Sequence, residues 1–503
     1  MSAPLPPSVR VSPPQRARLS RESFDVVVIG GGINGCGVAR DAAMRGLSVA
    51  LVEKEDFGSG TSGRTSRLVH GGLRYLEQGR LGLVRESRRE RAALMRIAPH
   101  LVQPLRFSWP VYGGARVTKA RLGAGLTLYD MLSLSRPGKW HETLSPAELL
   151  AREPALKRDG LAGGGSYFDS STDDGRLTLA NALSASYWNA VVVNHMTATT
   201  VSESSPHRVE LTDNITGEHR TICGRVIVRA VGPWSSSAAH SKGSHILVDR
   251  AVVGNREAIA LLSPLDGRVM FVLPSGAHTI IGTTEILTRA SPDEVRASES
   301  EISYLVDSVN SYLADSRLSR SDVISAWAGL RPLASPAPGD PTSASREHSI
   351  TRDATGTITI TGGKLTTYRA VAEETVDLVQ VALGIRASRS RTAIEALPGA
   401  DRESLIAEMI VSEPATGEPL TGNSQLRPAD LTYSVRHEMA LTLSDLLIRR
   451  TLAAFRARDH AMSLAAPAAD VVAPLLGWSS ALKGAAIADY RRNISRIFTI
   501  DPD

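Results

Sequence analysis

Residues 24–53, FDVVVIGGGINGCGVARDAAMRGLSVALVE, constrain this chain more than any other stretch. An apolar strand, Phe24 to Ile29, runs without a break into Gly30-Gly31-Gly32-Ile33-Asn34-Gly35. Gly30, Gly32 and Gly35 satisfy G-x-G-x-x-G. The first glycine allows the tight turn, the second lets main chain approach a phosphate, and the third lets the following helix pack on the strand. That helix aims its unpaired N–H groups and the positive end of its dipole at an anion. A second apolar strand, Ser48 to Val52, delivers Glu53 roughly 20 residues further on, where a carboxylate accepts from ribose hydroxyls. The unit predicts a site for an adenine dinucleotide built on Gly30, Gly32, Ile33, Asn34, Gly35 and Glu53, with Lys54 beside them. NAD and FAD share this adenosine and pyrophosphate, so the motif alone leaves the choice between them open.

The remainder of the chain is long enough for two or three domains, with 503 residues of which 42% are hydrophobic and 22% charged. Two cysteines, Cys36 and Cys223, are too few for a disulfide framework and have no metal-ligand spacing, so no metal is expected and a reducing compartment is the simpler reading. The net charge of +5 suits an anionic substrate or membrane surface and equally an ordinary solvated basic face. No basic stripe interleaved with aromatics points to nucleic acid. No segment reaches the roughly 18 consecutive apolar residues of a membrane span, so membrane contact would be peripheral. Residues 1–21, rich in Pro, Ser and Arg without an apolar core, do not read as a secretory signal, and their prolines oppose an amphipathic transit helix; a disordered tail is expected.

After the fingerprint comes a hydroxyl-rich loop, Gly58-Ser59-Gly60-Thr61-Ser62-Gly63-Arg64-Thr65-Ser66, and then His70-Gly71-Gly72-Leu73-Arg74-Tyr75-Leu76-Glu77. Residues 79–97 read as a basic helix, and 114–136 mix Arg116, Lys119 and Arg121 with leucines, either an interfacial segment or a core helix with a solvated basic edge. Gly224 to Val228 reads as a third strand of the dinucleotide unit. Strand patterns at His245–Val248, Val269–Pro274 and Thr279–Gly282 suggest an inserted β-rich domain. Thr357 to Thr361 is another strand, delivering Gly362-Gly363-Lys364-Leu365-Thr366-Thr367-Tyr368-Arg369 and a helix to about residue 383. From about residue 396 the pattern is helical, with no repeat and no Ca-binding loop.

These islands closely resemble the FAD-dependent glycerol-3-phosphate dehydrogenases, a branch of the glycine and D-amino-acid oxidase-like flavoproteins, over about residues 23–503. The resemblance rests on the fingerprint, LVHGGLRYLE, KGSHI at 242–246, IIGTTE at 280–285, GLRPL at 329–333, ITRD at 350–353, TGGKLTTYR at 361–369 and HEMALTLSDLLIRRT at 437–451. It implies FAD rather than NAD. It also implies an α/β fold: a Rossmann-like FAD-binding domain over 22–395, an inserted antiparallel β-rich substrate domain at about 90–165 and 236–349, and a helical domain over 396–503. One departure is Arg229-Ala230-Val231-Gly232-Pro233-Trp234, where the family usually has Asn at the first position. The absence of a Ca-binding extension is similar to the bacterial branch.

The implied reaction is oxidation of sn-glycerol 3-phosphate to dihydroxyacetone phosphate by hydride transfer to flavin N5, with electrons passed to a membrane quinone. Arginine forks match phosphate oxygens, which makes Arg74, Arg331 and Arg352 clamp candidates, joined by Tyr75 and Lys364. Lys364 opens a helix at a Gly-Gly turn, where a cation stabilises negative charge on a reduced flavin. His245 is the first candidate for the base, as a neutral imidazole near its working pKa; His70 is the second, and Arg331 is an alternative that polarises the hydroxyl. Thr61, Ser62, Ser66, His70, Gly71, Gly72, Gly232, Gly362, Gly363, Lys364, Leu365 and Thr366 are the remaining expected FAD contacts. The resemblance further implies a homodimer at the inner face of the cell membrane. An oxidase using O₂ and a catalytically silent flavin protein are the competing readings.

Overall fold

In the structure, a computed structural model, residues 14–19, 22–73, 76, 79–132, 140–235, 240–314, 318–332, 348–422 and 424–503 are described. Of the sequence candidates, Arg74 and Tyr75 lie outside them, as does most of the N-terminal tail.

Two sheets organise the molecule. The first has the strand order Ser349–Arg352, Ile358–Thr361, His219–Arg229, Phe24–Ile29, Val49–Val52, Val191–Val193. Phe24–Ile29 is central and parallel to both neighbours, with Ile29 opposite Val52 on one side and Arg229 on the other. Three chain segments therefore leave the sheet at one edge, at Gly30, Glu53 and Ala230, and the strand order reverses there, which is where a doubly wound sheet opens a crevice. Alternate residues serve opposite faces. Val26 and Val28 pack with Cys36 and Ala39 of the fingerprint helix and with Val371 and Val376 of the helix Tyr368–Leu383. Val27, Ala50 and Ile227 face a three-stranded meander through Val209 and Leu211.

The second sheet has ten strands and draws them from separated stretches of chain, mainly 103–171 and 240–332. It is antiparallel except at one seam, where Ala258–Leu262 runs parallel to Gln103–Tyr112. That seam joins strands distant in sequence, so no hairpin dictates their direction. Val323–Pro332 pairs antiparallel with His240–Asp249, setting Arg331 opposite Ser241, Gly329 opposite Gly243 and Trp327 opposite His245. With a side-chain period of two, Arg331, Gly329, Gly243 and His245 share a face.

Helices dominate from Arg402 onward. Their apolar face joins the second sheet through Phe455, which meets Trp327 and Phe498 edge to face. Their polar edge locks onto the first sheet. Arg449 and Arg450 both pair with Asp56, three residues past Glu53, at 2.7 and 2.5 Å; His195 meets Asp445 at 2.9 Å; Arg176 meets Glu438 at 2.6 Å. Within 114–136 the helix Lys119–Met131 buries Leu122, Leu126 and Tyr129 and exposes Leu128 and Met131, so the segment is in part a core helix. Among the described residues no helix is long and apolar enough to cross a membrane.

Candidate active site

Two neighbouring clefts lie at the strand edge that carries the fingerprint and share Thr61 in their walls. The first encloses about 800 Å³ and is lined by Gly30, Gly32, Glu53, Lys54, Thr61, Ser62 and Gly232. Gly30 has φ +110°, and a Cβ there would sit 2.5 Å from the Ala230 carbonyl oxygen. A Cβ on Gly35 would overlap the Gly30 carbonyl oxygen, so this glycine lets the helix Ile33–Met44 seat against the turn. The turn is thus stripped of side chains on the surface that a pyrophosphate approaches, with a 12-residue helix pointing its N-terminus there. These features fit a dinucleotide.

Other expected contacts serve as support. Ile33 and Asn34 do not line the cleft: the Ile33 N–H donates to Ser62 Oγ at 2.9 Å, and Asn34 Nδ2 donates to the Gly362 carbonyl at 3.4 Å. Asn34 thereby ties the fingerprint to the returning glycine turn. Glu53 Oε2 accepts from the Gly31 N–H at 2.6 Å and Oε1 from the Glu55 N–H at 2.8 Å. Burial pushes this carboxyl up and the two N–H bonds partly offset that. Each oxygen keeps a second lone pair, so the carboxylate braces the turn and remains able to accept from a ribose. Arg229 ends its strand exposed and is not in the cleft wall, which Ala230, Val231 and Gly232 line. Trp234, given no role in the sequence, also lines the cleft. Its Nε1 donates to Asp293 at 3.1 Å and Lys54 Nζ lies 4.1 Å above its ring.

The second cleft encloses about 1670 Å³, open to solvent, and brings together Ser66, His70, His245, Arg331, Gly363, Lys364, Leu365 and Thr366, residues up to 300 positions apart in sequence. The loop that ends at Ser66 is pinned by Asp174, whose Oδ2 accepts from the Thr65 N–H and hydroxyl at 2.9 and 2.7 Å. Thr366 Oγ1 accepts from the His70 N–H at 3.2 Å. Arg331 reaches Thr283 Oγ1 at 3.4 Å, a partner from the IIGTTE island that carries no signal of this role in the sequence. Arg64 and Arg268 also line the cleft, with Glu285 and Asp169 opposing them, over an apolar wall of Phe107, Trp109, Tyr167 and Phe271. Burial, then the nearby Arg496, pushes Arg64 down to about 10. Gly71, Gly72 and Gly362 stand behind the lining; the Gly71 N–H donates to Asp169 Oδ1 at 3.0 Å.

Two expectations change. His245 is in the cleft, but burial, then Arg331 and Arg67, push it down to about 3, so its imidazole is not poised near neutrality in this state. Arg352 is not in the cleft at all. It ends an exposed edge strand opposite Ile358, beside Gly356, at the end of that strand pair remote from the Gly362–Lys364 turn.

A family model described as FAD dependent oxidoreductase matches residues 25–378, and one described as the C-terminal domain of alpha-glycerophosphate oxidase matches 355–483. Glycerol-3-phosphate dehydrogenase 2 of Mycobacterium tuberculosis (strain ATCC 25618 / H37Rv) is 35% identical, with 97% of this chain and 92% of that protein covered. The aerobic glycerol-3-phosphate dehydrogenase of Staphylococcus saprophyticus is 32% identical over 93% of each. Among solved structures, the glycerol-3-phosphate dehydrogenase of Bacillus halodurans complexed with FAD superposes with a TM-score of 0.78 at 27% identity, covering 98% of this chain and 100% of that one. The L-alpha-glycerophosphate oxidase of Mycoplasma pneumoniae, at 16% identity and TM-score 0.59, shares the fold over 75% of this chain. With the glycine turn, the two neighbouring clefts and the helical C-terminal domain in place, the chain belongs to the FAD-dependent oxidoreductases, within their glycerol-3-phosphate dehydrogenase family.

Proposed function

We propose that the chain oxidises sn-glycerol 3-phosphate to dihydroxyacetone phosphate and passes the electrons to a membrane quinone. The observation that carries this reading is the convergence of Arg331, Lys364 and His245 on one cleft that shares Thr61 with the dinucleotide cleft. Arg331 and Lys364 hold the phosphate, and Arg74 and Tyr75 complete the clamp in this reading. FAD, when bound along the two clefts, supplies the acceptor for the C2 hydride. Gly362, Gly363, Leu365 and Thr366 seat its reacting end, and the Lys364 cation favours charge developing there.

His245 is the base. Its low pKa is a property of the cleft without substrate, because it is set by burial and by two arginines. A phosphate dianion against Arg331 cancels part of that repulsion and raises the imidazole toward its working range. His245→Gln should slow flavin reduction by about 10²-fold or more. An unchanged rate would leave Arg331 polarisation of the hydroxyl as the mechanism.

Quinone rather than O₂ is favoured by the exposed apolar side chains Leu128, Met131 and Trp140 and the exposed Arg116 and Arg121, all within residues 116–140. Apolar and basic side chains together suit the interface of a membrane, where quinone resides. The test is anaerobic mixing with glycerol 3-phosphate followed by reoxidation with a quinone analogue or with O₂. Bleaching and faster reoxidation by the quinone are expected. Rapid reoxidation by O₂ alone would reject the acceptor, and no bleaching would reject the substrate.

A further inference from the structure

His245 borders the substrate cleft, and the catalytic nitrogen of its imidazole is engaged there by another side chain. Its Nε2 lies 2.8 Å from Ser66 Oγ. Its Nδ1 is buried and has no hydrogen-bond partner among the described residues. One ring face is stacked on Trp327, with centroids 5.4 Å apart and planes 12° from parallel. The Cδ2 edge abuts Gly282, where an added Cβ would overlap the ring. The side chain is therefore sealed on a face and an edge, and the residue is 2% exposed. Ser66, by contrast, is half-buried and lines the cleft together with Arg331 and Lys364.

The ring and the main chain on either side of the serine are both held in place. The ring is wedged between Trp327 and the Gly282 strand. The serine is held on both sides, through the Thr65 bonds to Asp174 and through the Arg67 N–H, which donates to Thr65 Oγ1 at 2.9 Å. A substrate hydroxyl that approached Nε2 within hydrogen-bond reach would meet Ser66 Oγ already there.

We infer that Ser66 is a proton relay between the substrate hydroxyl and His245, a role distinct from the cofactor contact expected from sequence. The inference rests on the oxidation reading above. As the C2 hydrogen leaves with its electron pair for the flavin, the O–H bond breaks and its electrons form the second bond of the C2 carbonyl. The freed proton goes to Ser66 Oγ, which gives its own proton to His245 Nε2. The balance is a ketone, a flavin carrying one hydride, an imidazolium and an unchanged serine. Nε2 must begin as the acceptor, so the neutral ring carries its proton on Nδ1.

The test is single-turnover flavin reduction at saturating glycerol 3-phosphate in holoenzyme whose flavin spectrum shows the cofactor in place. Ser66→Ala is expected to lower the limiting rate by about 10²-fold, with substrate affinity changed by less than about threefold. Ser66→Thr, which keeps the hydroxyl, should recover to within about tenfold of wild type. Ser66→Cys, of similar size with a weaker hydrogen-bonding group, should fall between and serves if Ser66→Ala loses its flavin. The double variant Ser66→Ala/His245→Gln should be no slower than His245→Gln alone, because one path is cut twice. Wild-type rates in Ser66→Ala, or losses that multiply in the double variant, would overturn the relay. Failure of the oxidation reading is a different result: the wild-type flavin would not bleach at all.

Discussion

The two ends of this pair of clefts are made of different material. At the dinucleotide end half of the wall comes from one stretch, Gly30 to Ser62, with the rest from 196–198 and 230–234, and the groups that the fingerprint offers are main chain, small residues and a helix terminus. At the other end the groups are side chains, from Ser66, His245, Arg331 and Lys364, aligned by two strands of a second sheet and by a returning loop. A pyrophosphate can be met by backbone, so a local spacing suffices to hold it. A small substrate must be met by side chains at fixed positions, and those positions exist only once the second sheet has formed.

The largest effect should come from giving the dinucleotide end a side chain. Gly35→Ala drives a methyl into the Gly30 carbonyl, and Gly30→Ala adds a clash with Ala230 to a φ of +110° that alanine resists. Each variant should weaken FAD binding by at least about 100-fold, about 2.7 kcal/mol, and purify without visible flavin absorbance. The same proteins should keep their thermal unfolding cooperative. A fully loaded Gly35→Ala enzyme would break the claim that this end works through bare main chain.

This contrast also explains what was legible in the sequence. The strand, turn, helix and acid at 24–53 could be read directly because their spacing is the function. Arg331 and Lys364 were reachable only through resemblance, since one arginine in a strand and one lysine at a turn carry no signal of their own. The Ser66 to His245 contact was not reachable: the residues are 179 positions apart and their pairing is decided by strand register and by Trp327 beneath the ring. The buried network of Asp56 with Arg449 and Arg450 was equally silent, because an Asp after a turn and two arginines in a helical segment look solvated until the domains meet.

Next in size is the substrate end. Arg331→Ala should raise the dissociation constant for glycerol 3-phosphate by about 10- to 100-fold, the range for a hydrogen bond to a charged group. FAD content should stay near wild type. Arg331→Lys should recover only part of the loss, since an ammonium cannot reproduce the fork. An Arg331 variant that lost flavin as readily as Gly35→Ala would show that the two ends are not separable.

A smaller effect tests whether the dinucleotide end stands alone or leans on the C-terminal helices. Burial pushes His195 down, but Asp445 at 2.9 Å outweighs it, so the folded imidazole titrates above its ordinary value. Asp445 is held well below the usual carboxylate range and stays ionised throughout. A raised folded pKa gives stability that is complete below the unfolded value of about 6.5 and is lost as pH rises through the folded value. Wild type should therefore unfold a few degrees above His195→Gln at about pH 6 in thermal denaturation, with the gap closing toward about pH 9. A gap that widened with rising pH would have the wrong sign for this pair.

The smallest effect is the sharpest statement about Arg352. Its motif island invites the same role as Arg331, yet the strand that carries it runs antiparallel to Ile358–Thr361, so it exits away from the turn that enters the cleft. An exposed guanidinium beside Gly356 has neither the burial nor the direction to bind a phosphate held by Arg331. Arg352→Ala should change substrate affinity by less than about twofold, within the ±0.5 kcal/mol typical of surface substitutions. A loss approaching that of Arg331→Ala, measured by the same substrate titration, would mean that the edge strand turns toward the cleft when substrate binds. The boundary of the side-chain end would then lie on the first sheet as well as the second.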